Sequence, residues 1–425
     1  YVMVGMLAMI TGASGGIAFN LGISLIFLMA AIGAYGLVFN LLQLRSKDKK
    51  SQGVFISLLG PLFILIVSNL EGFLHSLHEK GLFWVRGENG VLVSSFWKWL
   101  DIKDLNIPPT EPFSWVPDDF WWWWRASRVV QDYNFLRSPL EIINEFPFFS
   151  FLLADLHPHV LSIPFMILVA AFGLNLFLFK DTFSRNQIRL QINLRTISWF
   201  VLALVPTSLL IAWAGIVNLS LILLGTGLLL LLGCLGVAWL ISPYFTQHRW
   251  RLLSSSEIGS WTGRFDLRIG WIDLLVLGVT VGGLAFLNTW DILIGVILVA
   301  GSFAAWRIYN ADAGVRLGAL VKDFGLMSVL LVILSVLLYL PFYIGFASQA
   351  GGPLPNLIFP TRGAHFWVMF APLLIPIFAF LVYLWRGHRE TVNIRNGIAI
   401  GVTILLGLWV ISFVLGFIIV NLPVI

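Results

Sequence analysis

The chain has 425 residues, of which 59% are hydrophobic and only 11% are charged. Soluble domains carry about 25% charged residues, so this composition excludes a water-soluble fold. The net charge of +5 does not indicate nucleic-acid binding, because Lys and Arg are scattered through short loops between apolar stretches. The single cysteine, Cys234, excludes an intrachain disulfide framework and a cysteine-based metal site.

Apolar stretches recur along the whole chain and predict an all-α polytopic membrane protein of about ten or eleven transmembrane helices with one large structured outer loop. The chain begins inside an apolar stretch that ends near Ile10, so we expect a further segment upstream of Tyr1. The polar break Asn288–Asp291 divides a long apolar stretch into a hairpin. The spans expected after the first stretch are residues 18–43, 54–72, 160–179, 197–214, 219–242, 271–287, 291–306, 324–344, 367–385 and 397–421.

The charges of the loops predict the orientation. Most of the 26 Lys and Arg residues fall in every second loop, whereas most acidic residues and histidines fall in the others. Short loops rich in Lys and Arg remain in the cytosol, so the long acidic and histidine-containing loop faces outward from a multi-pass cell-membrane protein. The predicted regions are the N-terminal transmembrane helices (1–72), an extracytoplasmic loop with interfacial helices (73–159) and a transmembrane helical core (160–425).

Two segments of the outer loop mix aromatic and charged residues. Ser94–Leu100 and Phe120–Arg125 are typical of helices that lie in the plane of the membrane interface. The four tryptophans Trp121–Trp124 suit an aromatic belt at headgroup level or, alternatively, a platform for a saccharide or an isoprenoid.

The densest group of polar residues stands just before the span that begins near Val160. Asp155, His157 and His159 alternate along the chain, so in an extended segment their side chains point to one side. Pro158 favours His157 as a helix cap and places His159 in the first helical turn. Such a helix N-terminus attracts phosphate, and these three side chains can also hold a divalent metal ion. Alternatively, they only satisfy backbone groups where the chain enters the bilayer.

Further polar residues in the outer loops are candidates for binding a substrate or its phosphate. Arginine suits phosphate because its guanidinium donates in a planar fork, although snorkelling to the interface explains each arginine taken alone. The sequence contains no P-loop, dinucleotide-binding glycine pattern, HExxH motif or nucleophile elbow. The candidates are Arg125, Arg128, Asn288, Asp291, Gln349, Arg362 and His365.

Several strings of the sequence are distinctive in combination: Trp123–Arg128, Ile143–Phe151 with Asp155–His159, Leu287–Asp291, Leu340–Tyr343 with Ser348–Gly352, and Pro360–Arg362. Together they resemble the YYY membrane proteins, a family of Chloroflexi and archaea catalogued as a domain of unknown function. Members of that family are distantly similar to the GT-C glycosyltransferases. The resemblance therefore implies a GT-C-like fold and transfer of a sugar from a polyprenyl-phosphate donor on the extracytoplasmic face. It also implies a general base in the first outer loop, upstream of Tyr1.

Two hypotheses follow for the function. In the first, the chain is a glycosyltransferase-like enzyme with Glu145 and Asp155 as catalytic carboxylates and a divalent metal ion at Asp155, His157 and His159. In the second, it is a non-catalytic membrane subunit or scaffold of a larger envelope complex, whose protein partners cover Trp97 and Trp121–Trp124. The expected partners are membrane lipids, a polyprenyl-phosphate sugar or such proteins. A transporter is a weaker third possibility, because few ionisable groups lie inside the spans.

Overall fold

The computed structural model of the chain describes residues 2–45, 50–118, 122–133, 138–178, 187–217, 262–309, 317–346, 361–387 and 394–421, with single positions between 227 and 238. The chain divides into two compact units. The first contains Tyr1–Leu168 and Ala347–Phe413, and the second contains Val169–Phe346 and Val414–Ile425.

Helices dominate the described residues, as apolar sequence requires where no water can satisfy the backbone groups. In chain order they are α1 (Val2–Thr11), α2 (Gly15–Arg45), α3 (Lys50–Ile56), α4 (Leu59–Pro61), α5 (Glu71–Glu79), α6 (Ser95–Leu100), α7 (Pro147–Leu152), α8 (Pro158–Leu178), α9 (Leu194–Val217), α10 (Trp271–Leu287), α11 (Asp291–Tyr309), α12 (Leu317–Leu338), α13 (Leu340–Gly345), α14 (Gly363–Gly387) and α15 (Ile394–Asn421). A π-helix covers Leu62–Ile66, and a 3₁₀ helix covers Trp122–Ser127.

Strands occur only as three two-stranded antiparallel ribbons in the described part of the chain. The first two ribbons belong to the predicted outer loop and show that this loop has its own structure. The third joins two segments that lead directly into α9 and α10. The strands are β1 (Val85–Arg86) with β2 (Leu92–Val93), β3 (Gln131–Tyr133) with β4 (Pro139–Glu141), and β5 (Gln187–Asn193) with β6 (Thr262–Gly270).

The chain bends by 72° between the helical stretch Gly53–Ile66 and α5. Val67 adopts an extended conformation and ends the first stretch. Asn69 then holds the bend, because its Oδ1 accepts the N–H of Glu71 at 3.1 Å and its Nδ2 donates to the carbonyl of Ala126 at 2.6 Å. The second predicted span is therefore broken near its end, and α5 begins inside the residues assigned to it.

The segment after α5 closes around a small apolar core. Trp97 lies at its centre, fully buried, and its indole N–H donates to the carbonyl of Leu82 at 2.8 Å. Ser94 caps α6 by accepting the N–H of Trp97 at 3.2 Å, so the cap fixes the helix that presents this tryptophan. The buried members of the core are Trp97, Leu100, Ile102, Leu105, Val129 and Val368.

The start of α14 completes this core from the far end of the chain. Its Val368 accepts the backbone N–H of Leu70 at 2.9 Å. Arg362, just before the helix, donates to Asp101 Oδ2 at 3.1 Å and to the carbonyl of Trp99. These contacts fix both α5 and the end of α6 against a candidate membrane span.

In the second unit, α12 packs against α10 and α11. Two glycines of α10 allow a close approach. A Cβ atom at Gly278 would lie 3.0 Å from Leu334 Cβ, and one at Gly282 would lie 3.0 Å from Ser335 Cα. Small residues of this kind let helix backbones pack tightly where lipid offers no hydrophobic driving force.

Among the described residues, four helices are long and apolar enough to cross a membrane, and the bent pair would be a fifth. The four are Gly15–Leu44, Pro158–Leu178, Leu320–Leu338 and Gly363–Gly387. Five shorter apolar helices of 10–17 residues accompany them. The protein is thus a helical membrane protein, while the count of ten or eleven spans stays a prediction. The predicted span 219–242 lies largely outside the described residues.

Candidate functional site

The site is built where α7 and α8 meet, and Asn144 fixes the chain that enters it. The Asn144 N–H donates to the carbonyl of Ser127 at 2.7 Å, and its side-chain Oδ1 accepts the N–H of Val130 at 2.8 Å. These two bonds tie the approach to α7 to the segment after the tryptophans. Glu145, the next residue, is consequently held beside the start of α7.

α7 ends in a turn that reverses the chain. Ala154 has a φ of +56°, in the left-handed region that an L-residue seldom adopts. The Asp155 N–H donates to the carbonyl of Ser150 at 2.9 Å, and the Ala154 N–H donates to that of Phe151 at 3.1 Å. This pair of bonds is a Schellman motif, which satisfies the free carbonyls of the helix end and directs Asp155 back towards the start of α7.

α8 begins as the sequence predicted. The carbonyl of His157 accepts the N–H groups of Val160 and Leu161, each at 3.0 Å, and Pro158 is the first helical residue. Because the proline ring presets the backbone for the first turn, His157 caps the helix and His159 lies in that turn. Both imidazoles are thereby placed at the helix N-terminus.

Glu145 lies between the two imidazoles. Its Oε1 is 3.9 Å from His157 Nε2, and its Oε2 is 3.6 Å from His159 Nε2. One potential ligand atom from each of these three residues lies within 4.8 Å of the others. Glu145, His157 and His159 could therefore hold a metal ion, and in the part of the chain that the structure describes they are the group that meets this criterion.

Asp155 lies beside His157, and its predicted role as a metal ligand stays a prediction. Its Oδ2 lies 2.6 Å from His157 Nδ1, on the opposite edge of the ring from Glu145. The three predicted ligands are close together, but the carboxylate that faces both imidazoles is that of Glu145. The sequence predicted Glu145 as a catalytic carboxylate of this site, but the alternation of Asp155, His157 and His159 did not indicate it as a metal ligand, because Glu145 precedes α7.

Ser150 was missed in the sequence. It is fully buried, and its hydroxyl donates to Glu145 Oε2 at 3.4 Å and lies 3.1 Å from His159 Nε2. No sequence motif marks it. Its hydroxyl nevertheless connects the carboxylate to an imidazole and so restrains both.

The cluster is accessible as well as preorganised. The exposed fractions of its side chains are 21% for Glu145, 37% for Asp155, 45% for His157 and 32% for His159. Two carboxylates offer negative charge, whereas the N–H groups at the start of α8 carry partial positive charge. A cation and a phosphate can therefore each find complementary groups within the same small area.

Two apolar cavities adjoin α7. One, of about 280 Å³, is lined by Phe73, Trp123 and Phe146, and the other, of about 420 Å³, is lined by Ile23, Phe27 and Ile66. Phe148 and Leu152 of α7 line both cavities. A short helix thus borders two spaces for hydrocarbon and also supplies Ser150 to the polar cluster.

The predicted phosphate-binding arginines have partners within the chain. Arg125 Nε lies 3.3 Å from Asp104 Oδ2, and Arg362 pairs with Asp101. Arg128 is buried and lies 4.6 Å from the centre of the Trp124 ring. The structure explains the positions of these arginines by internal contacts, and their binding of phosphate stays a prediction.

The other candidates are dispersed. Asn288 caps the end of α10 and Asp291 begins α11, both in the second unit. His365 is fully buried, with Nε2 2.8 Å from the carbonyl of Leu100. Gln349 lies outside the described residues. A phosphate-binding role for these four residues likewise stays a prediction.

A second group of glutamates and histidines, also absent from the predicted sites, lies on α5. His75 is 3.4 Å from Glu71 and 3.7 Å from Glu79, and His78 Nδ1 is 2.9 Å from Glu79. No residue of this α5 cluster is more than 7% exposed. The spacing of Glu71, His75 and Glu79 by four residues was the signal for it, because such residues share a helix face.

The comparisons with known proteins agree with the helical membrane fold. A family model described as "Uncharacterized membrane protein (DUF2298)" matches the chain over residues 1–225 and again over residues 223–425. No curated protein and no solved structure matches the chain. Because the two matches together extend from the first residue to the last, the chain belongs to DUF2298, a family of uncharacterized membrane proteins.

Proposed function

We propose that this protein is a GT-C-like membrane glycosyltransferase, which transfers a sugar from a polyprenyl-phosphate donor on the extracytoplasmic face. One observation carries the proposal. Two carboxylates and two imidazoles meet at the start of the candidate span α8, and the helix that contributes Ser150 to them also lines two apolar cavities.

A lipid-linked sugar requires a polar site that lies beside an apolar cavity. Its hydrocarbon chain stays in an apolar environment, while its phosphate and sugar lie where the membrane meets water. The cavities beside Phe148 and Leu152 suit the hydrocarbon chain. The partly exposed cluster that contains Glu145 and His159 suits the phosphate and the sugar. A water-soluble sugar donor would have no use for the apolar cavities.

The chemistry exchanges one bond for another at the anomeric carbon. The oxygen of an acceptor hydroxyl forms a bond to that carbon, and the bond from the carbon to the phosphate oxygen breaks. The hydroxyl proton passes to a carboxylate, for which Glu145 and Asp155 are the candidates, and the electron pair of the broken bond remains on the phosphate. A divalent ion, if bound at Glu145, His157 and His159, would supply positive charge for the departing phosphate.

The test uses the full chain in lipid nanodiscs with a polyprenyl-phosphate donor that carries a radiolabelled hexose. Oligosaccharide and peptide acceptors are supplied, and mass spectrometry measures the release of polyprenyl phosphate. We expect Glu145→Gln and Asp155→Asn each to lower the rate by roughly 10²-fold or more, as loss of a catalytic acid–base group does. Glu111→Gln is the matched control, because Glu111 pairs with Arg86 at an exposed position outside the site. A rate that neither site variant changes would refute the proposal.

A non-catalytic membrane subunit is the second candidate, and exposed aromatic side chains favour it. Phe83, Trp99 and Trp115 are each more than half exposed, whereas Trp97, expected under this hypothesis to meet a partner, is buried in the chain's own core. This candidate predicts no turnover of the donor. It also predicts that Trp99→Ser, but not Asp155→Asn, reduces the mass of the native complex in mass spectrometry.

A further inference from the structure

We propose that Glu145, His157 and His159 bind a zinc ion, and that Asp155 orients His157 for this role. The inference deepens the proposed function, on which its catalytic meaning rests, by naming the cofactor of that site. It assigns the ligands from geometry: Glu145 serves as a ligand, and Asp155, which orients His157, remains the candidate base of the proposed transfer.

The separations of the three side chains suit a shared ion. With metal–ligand bonds of about 2.0–2.2 Å in a tetrahedron, neighbouring ligand atoms lie roughly 3.3–3.5 Å apart. The Glu145 oxygens lie 3.6 Å and 3.9 Å from the facing Nε2 atoms of His159 and His157. These distances exceed that of a hydrogen bond and run to different oxygens of Glu145, and one potential ligand atom from each of the three residues lies within 4.8 Å of the others. Binding of an ion therefore requires the three side chains to move closer together.

The chemical nature of the donors selects the metal. Mg²⁺ and Ca²⁺ take oxygen ligands almost entirely, whereas imidazole nitrogen suits zinc and its neighbours in the transition series. Two imidazoles and one carboxylate form a ligand set found in catalytic zinc sites. Three protein ligands leave a fourth position open, and the partial exposure of Glu145, His157 and His159 gives a small ligand access to it.

The Nδ1 edge of the His157 ring contacts Asp155. Its Nδ1 lies 2.6 Å from Asp155 Oδ2, so Nδ1–H donates to the carboxylate and the lone pair of Nε2 points towards Glu145. Ligating histidines usually donate their other ring N–H to a carboxylate or carbonyl, which fixes the tautomer and orients the ring. Asp155 is therefore a positioning residue for a ligand, reached through His157.

Ser150 restrains the other half of the site. Its hydroxyl is fully buried, donates to Glu145 Oε2 at 3.4 Å and lies 3.1 Å from His159 Nε2. When His159 Nε2 binds the ion, Ser150 loses this second contact and keeps the bond to the carboxylate ligand. The Schellman turn after α7 positions Ser150 relative to Asp155 by the 2.9 Å backbone bond between them. One turn of chain thus supports both the carboxylate ligand and the residue that orients His157.

The experiment measures binding of zinc itself. The full chain in phosphatidylcholine nanodiscs is stripped with a chelator and titrated with zinc chloride by calorimetry, with cobalt chloride as a spectroscopic probe. We expect a zinc ion per chain, an intense visible absorption of four-coordinate cobalt, and no displacement by excess magnesium chloride. Glu145→Gln and His159→Ala should weaken zinc binding by roughly 100-fold or more, and Asp155→Asn by about 10- to 100-fold.

Glu111→Gln serves as the carboxylate control and should bind zinc like the unaltered chain. Because His159→Ala could disturb the start of α8, circular dichroism of each metal-free variant confirms its helical content, and the isosteric Glu145→Gln carries the decision. Zinc binding that is absent, that survives Glu145→Gln, or that magnesium abolishes overturns the inference. Sugar transfer without zinc binding would remove this inference alone, whereas zinc binding without sugar transfer would remove the proposed function alone.

Discussion

Two clusters of glutamate and histidine side chains lie in the first unit, one on α5 and one between α7 and α8. In the α5 cluster, Glu71, His75 and Glu79 stand on one face of a single helix, and His78 Nε2–H donates to the carbonyl of Ile107 at 2.8 Å. The rings of Trp84 and Trp97 pack edge-on against His78. These carboxyl and imidazole groups face one another in a buried part of the first unit.

The cluster between α7 and α8 has the same kinds of side chain in a different setting. Its members come from the segment before α7, the turn after it and the start of α8, and each is between 21% and 45% exposed. The burial of the α5 cluster and its position on one face of a single helix favour a structural role. Residues drawn from separate segments to an accessible point indicate a binding site. Side-chain type alone does not distinguish the two clusters.

His75→Ala should change the free energy of unfolding most, and it tests whether the α5 cluster is structural. The carboxylate oxygens of Glu71 are buried without a hydrogen bond to the described residues, and His75 Nδ1 lies 3.4 Å from one of them. Removing the imidazole leaves a buried carboxylate without this neighbour, so the free energy of unfolding should fall by about 3–5 kcal/mol.

Thermal unfolding in detergent micelles, followed by circular dichroism, measures the loss. The matched control is His157→Ala, whose side chain is 45% exposed and should cost about 1 kcal/mol or less. Equal losses for the two variants would contradict a structural role of the α5 cluster that the other cluster lacks.

A smaller effect is expected from replacing part of the α5 cluster by apolar residues. The double variant Glu71→Met with His75→Leu removes the charge together with its neighbour and keeps the volume near that of the originals. Buried ion pairs replaced in this way often lose nothing, so it should recover about 2 kcal/mol or more relative to His75→Ala.

The same unfolding measurement checks this recovery, and the zinc titration should be unchanged in the double variant. The equivalent apolar replacement of Glu145 and His159 should preserve stability but remove zinc binding. If the double variant in α5 removed zinc binding or sugar transfer, the α5 cluster would belong to the site.

The smallest effect concerns the turn that assembles the accessible cluster. Ala154 holds a φ of +56°, a conformation that costs an L-residue about 1–2 kcal/mol and costs glycine almost nothing. Ala154→Gly should therefore raise the free energy of unfolding by about 1 kcal/mol, after allowance for the greater flexibility of glycine in the unfolded chain.

Chemical denaturation of the two forms side by side detects this gain, and the affinity for zinc should stay the same. The control is Ala31→Gly, within α2, which should lower the free energy of unfolding by about 1 kcal/mol because a glycine in the interior of a helix is destabilising. Destabilisation by Ala154→Gly would mean that the turn depends on the methyl group rather than on its backbone conformation.

The sequence predicted those features of the structure that depend on neighbouring residues. Hydropathy predicted a helical membrane protein, and Pro158 predicted both the cap at His157 and the place of His159. The length of the outer loop indicated that it would carry its own elements, and the structure provides α5–α7 and two ribbons there.

The features that the sequence did not predict depend on contacts between residues that are far apart in the chain. Glu145 joins the imidazoles only because the chain reverses after α7, and the usual glycine signal for such a turn is missing at Ala154. The bend before α5 depends on the contact of Asn69 with Ala126, 57 residues further along the chain. Neither hydrophobic periodicity nor loop charge contains that information.

The contacts of α14 impose an order on folding during synthesis. Arg362 and its partner Asp101 are 261 residues apart, and Val368 fills the core around Trp97. At a translation rate of roughly 5–20 residues per second, the nascent segment around α5 and α6 waits about 13–50 s before α14 exists. During that interval the core around Trp97 is open on one side. Chaperones and proteases therefore have access to this segment until α14 has been synthesised.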